Sequence, residues 1–380
     1  MHVLLASHRY FPVPGGTEKV VQTLAEGLTR RGHRVTVVTQ LEPNTAEQET
    51  LGGVEVLRLR MRRAGGIRLP VRYLRTLHAI PADLFHLWGN RIWCADFYYP
   101  WARAFRWPQV LTGLGFYQWE VHPRGWDRLY FPHYLPWAIG GFDRYTTSSE
   151  HERSQLLGWG VPAPRLRSVP LGVPLGEFER PPEGVDRLRS TWGLHRPLAA
   201  VYAGGFFENK RVDRLIEALA PVRDRWGLVA IGRDIPASPH NLANCRARAE
   251  ALGVEFVAPG VLSREDLLRA LYAADAIVLG SEYEGFGLTP IEAMAAGRPF
   301  VTFESGALGD VAAHGGGLAV RSVEEFTRAL GRLEDPGERA RLGQVGRHGA
   351  EFYSDRAMVD RFLRVYAEVV EGRSIPRPGP

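Results

Sequence analysis

Short apolar runs alternate with segments whose apolar residues recur every three or four positions. The chain opens on such a run, His2-Val-Leu-Leu-Ala-Ser7. After Pro14-Gly15-Gly16-Thr17, Val20, Val21, Leu24, Ala25 and Leu28 recur at helical spacing up to Gly32. Arg34–Thr39 predicts the next strand, followed by Val54–Leu59, Leu84–Leu87, Val110–Thr112, Tyr145–Ser148 and Leu166–Val169. A proline-rich stretch, Val173–Pro182, interrupts the rhythm and is expected to be a linker. The alternation then restarts with strands over Leu198–Tyr202, Leu228–Ile231, Val254–Val257, Ala276–Leu279 and Phe300–Phe303. Caps at Ser263-Arg-Glu-Asp266 and Ser322-Val-Glu-Glu325 open two of the helices between them, and a long amphipathic helix over Ser354–Val370 ends the pattern. Strand–helix alternation on this scale predicts α/β architecture in two doubly wound domains. The expected domains are 1–175 (with the last helix, 356–372) and 183–355, with ligand edges at the carboxyl ends of the strands and a cleft joining them.

At 380 residues the chain exceeds one ordinary core, which agrees with two domains. The first residues read as a strand and not as a leader, and no apolar stretch nears the roughly 20 residues of a spanning helix. Cys94 and Cys245, the only cysteines, offer neither a disulfide framework nor zinc spacing, so a reducing cytoplasm is expected. The net charge of +5 is carried almost wholly by arginine, since Lys19 and Lys210 are the only lysines. Arg58, Arg60, Arg62, Arg63, Arg68, Arg72 and Arg75 are concentrated in one segment, a face for anionic lipid at the inner membrane surface or for an anionic substrate, or simply a solvated surface. No nucleic-acid motif accompanies the charge.

Several chemistries are excluded by pattern. G-x-G-x-x-G after the first strand, G-x-x-x-x-G-K-[ST], H-E-x-x-H and G-x-S-x-G are all absent, and no D-x-D pair offers a metal–diphosphate bridge. What stands out is Glu282-Tyr-Glu284-Gly-Phe-Gly-Leu-Thr-Pro-Ile-Glu292-Ala, between the strand Ala276–Leu279 and a short helix. Thr289 suits the N-cap, Pro290 the first helical position and Glu292 the third. Gly285 and Gly287 let the backbone approach a ligand, and the amides there suit a diphosphate. Glu284 would then reach sugar hydroxyls and Glu292 ribose hydroxyls, although Thr289-Pro-Ile-Glu292 is also a capping box in its own right and Glu284 also suits a turn. A second anion contact is expected from Gly204-Gly205-Phe-Phe-Glu-Asn-Lys210-Arg211, and a third from Gly15-Gly16. An exposed basic residue and a plain turn are the ordinary explanations of these two.

These residues resemble the family 4 retaining glycosyltransferases of the two-Rossmann-domain GT-B fold, along nearly the whole chain. Glu284-Gly-Phe-Gly-Leu-Thr-Pro-Ile-Glu292 is similar to that family's E-x7-E motif, Leu267–Asp275 to its "L…ly..AD" helix, Gly297-Arg-Pro299 to its "G-x-P-V", and Pro14–Glu18 through His33 to its opening loop and helix. The resemblance implies a metal-independent, retaining transferase without a cofactor, moving a sugar from a nucleotide donor to a glycan, lipid-linked or small-molecule acceptor. Glu284 and Lys210 would be catalytic. Gly16, Gly205, Lys210, Arg211, Val261, Gly285, Phe286, Gly287, Leu288, Thr289 and Glu292 would hold the donor, with the base near Gly260-Val261 and the last helix returning to the first domain.

Three positions depart from the pattern. Gly205 stands where an Arg is usual, leaving the leaving-group charge to Lys210 unless Arg211 or Arg233 compensates. Leu114 replaces the His of "T-x-H-G" in Thr112-Gly-Leu-Gly115, and Pro170-Leu-Gly-Val-Pro174 replaces "P-N-G-V-D". The departures motivate two other readings, a sugar-nucleotide binding protein whose chemistry has lapsed and a nucleotide-sugar epimerase. Seven of the ten tryptophans fall between Phe85 and Tyr145, where core packing, sugar stacking and lipid interfaces all suit them. Leu114, Tyr117 and Trp119 are the acceptor-side candidates, while His86, His122 and His133 are expected to be structural.

Overall fold

The protein is seen here as a computed structural model that describes residues 1–13, 15–64, 67–70, 72–90, 92–104, 107–116, 119 and 125–374, with backbone only for 63, 64, 67–69, 373 and 374. It divides into two units, Met1–Val173 with the chain from Asp355 onward, and Pro174–Ser354.

The first unit carries an eight-stranded sheet of β1 (His2–Ala6), β2 (Arg34–Gln40), β3 (Gln48–Leu51), β4 (Val54–Leu59), β7 (Leu84–Trp88), β8 (Gln109–Thr112), β9 (Arg144–Thr147) and β10 (Leu166–Ser168). Their order is β10-β9-β8-β7-β1-β2-β4-β3, parallel except for the β3–β4 pair. The small hairpin of β5 (Met61–Ala64) and β6 (Ile67–Pro70) stands apart from it. Neither β3 nor this hairpin is legible in the periodicity, because their short strands lack an apolar run. The helix Asp355–Ser374 returns to this unit: Phe362 and Tyr366 pack on His86 and Trp88, and Glu368 is gripped by Arg144 and Arg167. His86 is fully buried between the Tyr366 hydroxyl and Thr112, and burial pushes its imidazole down to about 3, so it stays neutral. This is a structural histidine.

The second unit is a six-stranded parallel sheet, β11 (Leu198–Ala203), β12 (Trp226–Ile231), β13 (Phe256–Gly260), β14 (Ala276–Leu279), β15 (Phe300–Phe303) and β16 (Gly317–Val320), in the order β13-β12-β11-β14-β15-β16. Its central strands are almost wholly buried, as a sheet covered on both faces requires. From β11 the chain winds outward through β12 and β13, then crosses back to β14 and winds the other way. The loops after β11 and β14 therefore diverge at a topological switch point, the place where doubly wound sheets bind ligands. The expected linker is docked and ordered: a 3-10 turn, Leu175–Phe178, buries Phe178, whose carbonyl accepts a hydrogen bond from the Tyr272 hydroxyl.

Among the described residues no helix is long and apolar enough to cross a membrane, and Cys94 and Cys245 are buried and unpaired.

Candidate functional site

The switch point of the second unit brings together the two glycine-containing loops. Lys210 ends a 3-10 turn, Glu208–Lys210, whose Asn209 carbonyl accepts the Glu282 amide at 2.8 Å while the Asn209 side chain donates to the Tyr283 carbonyl at 3.3 Å. Such close apposition needs Gly280: a Cβ there would lie 2.3 Å from the Arg211 carbonyl oxygen. Across this seam the Lys210 ammonium donates to Glu284 Oε2, which also accepts from the Ser281 hydroxyl at 3.3 Å. Both side chains are about four-fifths buried, at 22% and 18% exposure, so their attraction is screened less than a surface pair's. The backbone of Glu284 is fixed as well. Its carbonyl accepts the Ala307 amide at 3.0 Å, and Gly306, at φ +53°, passes so close that a Cβ would sit 2.2 Å from that oxygen.

The helix after this loop is Leu288–Ala295, with Gly287 at its N-cap (φ 83°) and no side chain capping it. This corrects the expected cap at Thr289. Thr289 is the second helical residue, and its hydroxyl donates to the Ala203 carbonyl at 3.2 Å, stitching the helix start to the end of β11. The capping-box explanation of Glu292 falls with it: Glu292 lies beyond the first turn and accepts from Arg264 Nη1 at 2.6 Å. An uncapped start leaves first-turn N–H groups that the helix cannot satisfy internally, with the positive end of its dipole beside them. Gly285 and Gly287 shape the approach, whereas the Phe286 ring is buried edge-on against Tyr353.

Arg264 is a site residue that the sequence pattern did not single out. Its guanidinium holds Glu292 on one side and Glu177 on the other, the latter at 2.8 Å and 2.6 Å, with Phe178 beneath it. Burial works against its charge, but the two carboxylates outweigh that and hold its pKa above the ordinary value. One signal was available: a cation in the first residue of a helix opposes the macrodipole, so an Arg after the Ser263 cap calls for carboxylate partners. Replacing Arg264 by Met leaves two half-buried carboxylates without their shared cation. Urea unfolding should report a loss of about 1–3 kcal/mol, with Glu292→Gln on the same background recovering part of it.

The remaining candidates are spread out. Gly205 has a hydrogen-bonded carbonyl, taken by the Tyr202 hydroxyl at 2.7 Å. Arg211, in the left-handed region, pairs with Asp213 at 3.0 Å and faces Glu282 at 3.7 Å, so its charge is already answered. Arg233 is exposed, its guanidinium 6.0 Å from the Phe207 ring. Val261 is 70% exposed after Gly260, a surface available to a flat base. In the first unit Gly16 is the exposed first residue of the helix Gly16–Arg30. Leu114 is half-buried in the loop after β8, and Trp119, also half-buried, packs against Phe131 and Trp159. Tyr117 and His122 lie outside the described residues. Arg58 is buried, donating to the Ala46 and Phe11 carbonyls and to Glu49, and so leaves the expected arginine face. Among the described residues no three His, Cys, Asp or Glu side chains are grouped to hold a metal ion.

Comparison with known proteins bears on both units. The family model for glycosyl transferases group 1 matches residues 187–349, and that for a glycosyl transferase 4-like domain matches residues 15–172. The chain is 32% identical over 237 residues to an MMP alpha-(1->4)-mannosyltransferase of Mycolicibacterium hassiacum, covering 59% of this chain and 54% of that one. It is 31% identical over 251 residues to a D-inositol 3-phosphate glycosyltransferase of Streptomyces bingchenggensis, covering 62% and 54%. The matched stretch thus spans about half the length of these relatives. Among solved structures, sucrose-phosphate synthase from Thermosynechococcus elongatus superposes with a TM-score of 0.82 at 22% identity, covering 98% of this chain and 99% of that one. Anabaena Alr3699/HepE, in complex with UDP and glucose, superposes at 0.80 and 16% identity, covering 97% and 100%. The fold is GT-B.

Proposed function

The chain belongs to the glycosyl transferases group 1 family, and we propose that it moves a sugar from a nucleoside-diphosphate donor to a hydroxyl acceptor, with retention of configuration and without a metal ion. The observation that carries this reading is the Lys210–Glu284 pair at the switch point, beside an uncapped helix start. An ammonium and a set of backbone N–H groups suit the two phosphates of the donor. Glu284 Oε1 has no protein partner among the described residues and suits a sugar hydroxyl. Glu292, steadied by Arg264, suits the ribose hydroxyls.

In the reaction the bond from the anomeric carbon to the diphosphate oxygen breaks, and a bond to the acceptor oxygen forms on the same face. The departing phosphate oxygen takes the acceptor's proton. Lys210 and the helix amides then stabilise the charge that develops on the leaving diphosphate, while Glu284 aligns the ring. The protein's contribution is preorganised charge and position, with no covalent bond formed to the protein. With Gly205 in place of a second cation and Arg211 committed to Asp213, Lys210 and the exposed Arg233, whose carbonyl holds the Phe206 amide beside Gly205, are the cations left for the leaving diphosphate. The names of the relatives favour a hexose donor and a sugar or polyol acceptor.

The test is a transfer assay with candidate nucleotide sugars, run with and without EDTA, alongside calorimetry of uridine and guanosine diphosphate. Turnover unchanged by EDTA is expected. Lys210→Met should weaken diphosphate binding by about 1.5–3 kcal/mol, the range of a charged hydrogen bond. Equal affinity in that variant would take Lys210 out of the site. An isomerised donor in the absence of acceptor would turn the reading to an epimerase, and binding with neither transfer nor donor hydrolysis to a lapsed enzyme.

A further inference from the structure

The aromatic segment of the first unit does not finish in the core. Trp126 to Ile139 runs as one continuous helical stretch, from Asp127–Leu129 through a π-type turn, Tyr130–Tyr134, to Leu135–Ile139. Its inner face is well used: Tyr130, Phe131, Leu135, Ala138 and Ile139 are buried, and the Tyr130 hydroxyl donates to Asp96. Its outer face is apolar too. Trp126 is 63% exposed, Leu129 55% and Trp137 47%, and with exposed His133 they follow one another at spacings of three, four and four, one stripe of a helix. Trp101, 52% exposed, stands two residues before Arg103, whose guanidinium lies 4.5 Å from the Trp137 ring and donates to the Trp137 carbonyl at 2.6 Å.

Charge decides what this surface fits. Arg103 and Arg128 are exposed beside the stripe, whereas no carboxylate is exposed in the described parts of 96–104 and 125–143. Asp127 and Asp143 are buried, and half-buried Asp96 accepts from Tyr130. Indole rings flanked by arginines, with no exposed acid in the described parts of these two segments, are the composition that seats at the headgroup level of a bilayer. A second copy of this chain would set like charges against each other across the stripe, and a sugar would not need three separate indoles spread over about three turns of helix.

We infer that the stripe of Trp126, Leu129 and Trp137, with Trp101 and the arginines Arg103 and Arg128, docks this protein on an anionic phospholipid surface. Of the Arg58–Arg75 segment, Arg58 is turned inward and Arg60 is paired with Glu47, Arg62, Arg72 and Arg75 are exposed, and the side chains of Arg63 and Arg68 lie outside the described residues. The inference does not depend on the proposed chemistry, because none of these residues belongs to the donor site of the other unit.

The test is sedimentation of the full chain with vesicles of phosphatidylcholine, with and without phosphatidylglycerol, and with tryptophan emission recorded on the same samples. Binding is expected to the mixed vesicles, with a blue shift. Trp126→Ser with Trp137→Ser should lower partitioning by about tenfold or more, given the apolar area each indole withdraws from water. Arg103→Gln with Arg128→Gln should lower it by about fivefold per charge, and high salt should imitate the loss. Melting temperature and nucleoside-diphosphate binding should hold in both double variants, because the altered residues are exposed and lie outside the donor site. Partitioning equal to the wild type in the tryptophan variant would overturn the inference, as would a wild-type chain that stays in the supernatant. Self-association that disappears in that variant would instead assign the stripe to a second copy.

Discussion

Glu284→Gln is expected to lower turnover by about 10²-fold or more, while uridine or guanosine diphosphate binds nearly as before. A preorganised polar group that serves the transition state has an effect on that scale when it is removed. The two readouts separate because, in the proposed reaction, Lys210 and the helix amides would act on the phosphates and Glu284 on the sugar. Glutamine keeps the size of the side chain and a hydrogen-bonding oxygen but loses the charge that holds the ammonium. Some stability should go with it, about 1–3 kcal/mol, since a largely buried ammonium loses its charged partner. Measuring the Glu284→Gln, Lys210→Met and double variants as a cycle isolates the coupling between the two. Turnover within a few-fold of the wild type in Glu284→Gln would make the pair a structural staple and remove the carboxylate from the chemistry.

Gly280→Ala should be nearly as damaging to turnover, although position 280 carries no reactive group. The added methyl would lie 2.3 Å from the Arg211 carbonyl and 3.0 Å from that of Lys210. These are backbone atoms, tied down by the Asn209 to Glu282 and Asn209 to Tyr283 hydrogen bonds, so they cannot swing aside as a side-chain tip would. Relief requires the Lys210 turn to lift off its neighbour, at about 1–3 kcal/mol of stability. It would carry the ammonium away from Glu284, and a displacement of about 1 Å can cost 10²-fold in rate. Gly331→Ala is the matched control. It sits in the helix Val323–Arg332 with nothing near its Cβ direction, so alanine there should be neutral or stabilise by up to about 1 kcal/mol. Denaturant midpoints of the two variants, together with turnover at saturating donor, check both expectations. A Gly280→Ala enzyme with wild-type stability and rate would mean that the seam is slack.

The α/β alternation, the family resemblance and the segment around Glu284 were legible without coordinates for a local reason. Parallel strands buried on both faces must be short apolar runs, helices covering them must repeat at 3.6, and a loop that admits a ligand to its backbone must be rich in glycine. Ser263 and Ser322 were readable as caps on the same ground, since a cap closes within three residues. Local rules were equally able to mislead. Thr289-Pro-Ile-Glu292 satisfies a capping box on paper, but Gly287 takes the cap and Thr289 is drawn off to Ala203, a partner 86 residues away. Competition from a distant carbonyl has no local signature.

The same boundary explains the rest. That Lys210 meets Glu284 and that Gly280 makes room for the Arg211 turn depend on β14 pairing beside β11, a crossover of more than seventy residues, and Glu292 answers to an arginine 28 positions away. Which residues of the Trp126–Ile139 helical stretch face inward likewise follows from its rotation against its neighbours, with Tyr130, Phe131 and Leu135 buried and Trp126 and Trp137 in solvent. Residue types and their spacing were therefore enough to determine most of the elements, the class of fold and the family, but not β3 or the β5–β6 hairpin. Partners, exposure and the identity of the capping residue were decided by tertiary packing, because they are pairwise interactions between segments that the chain itself keeps far apart.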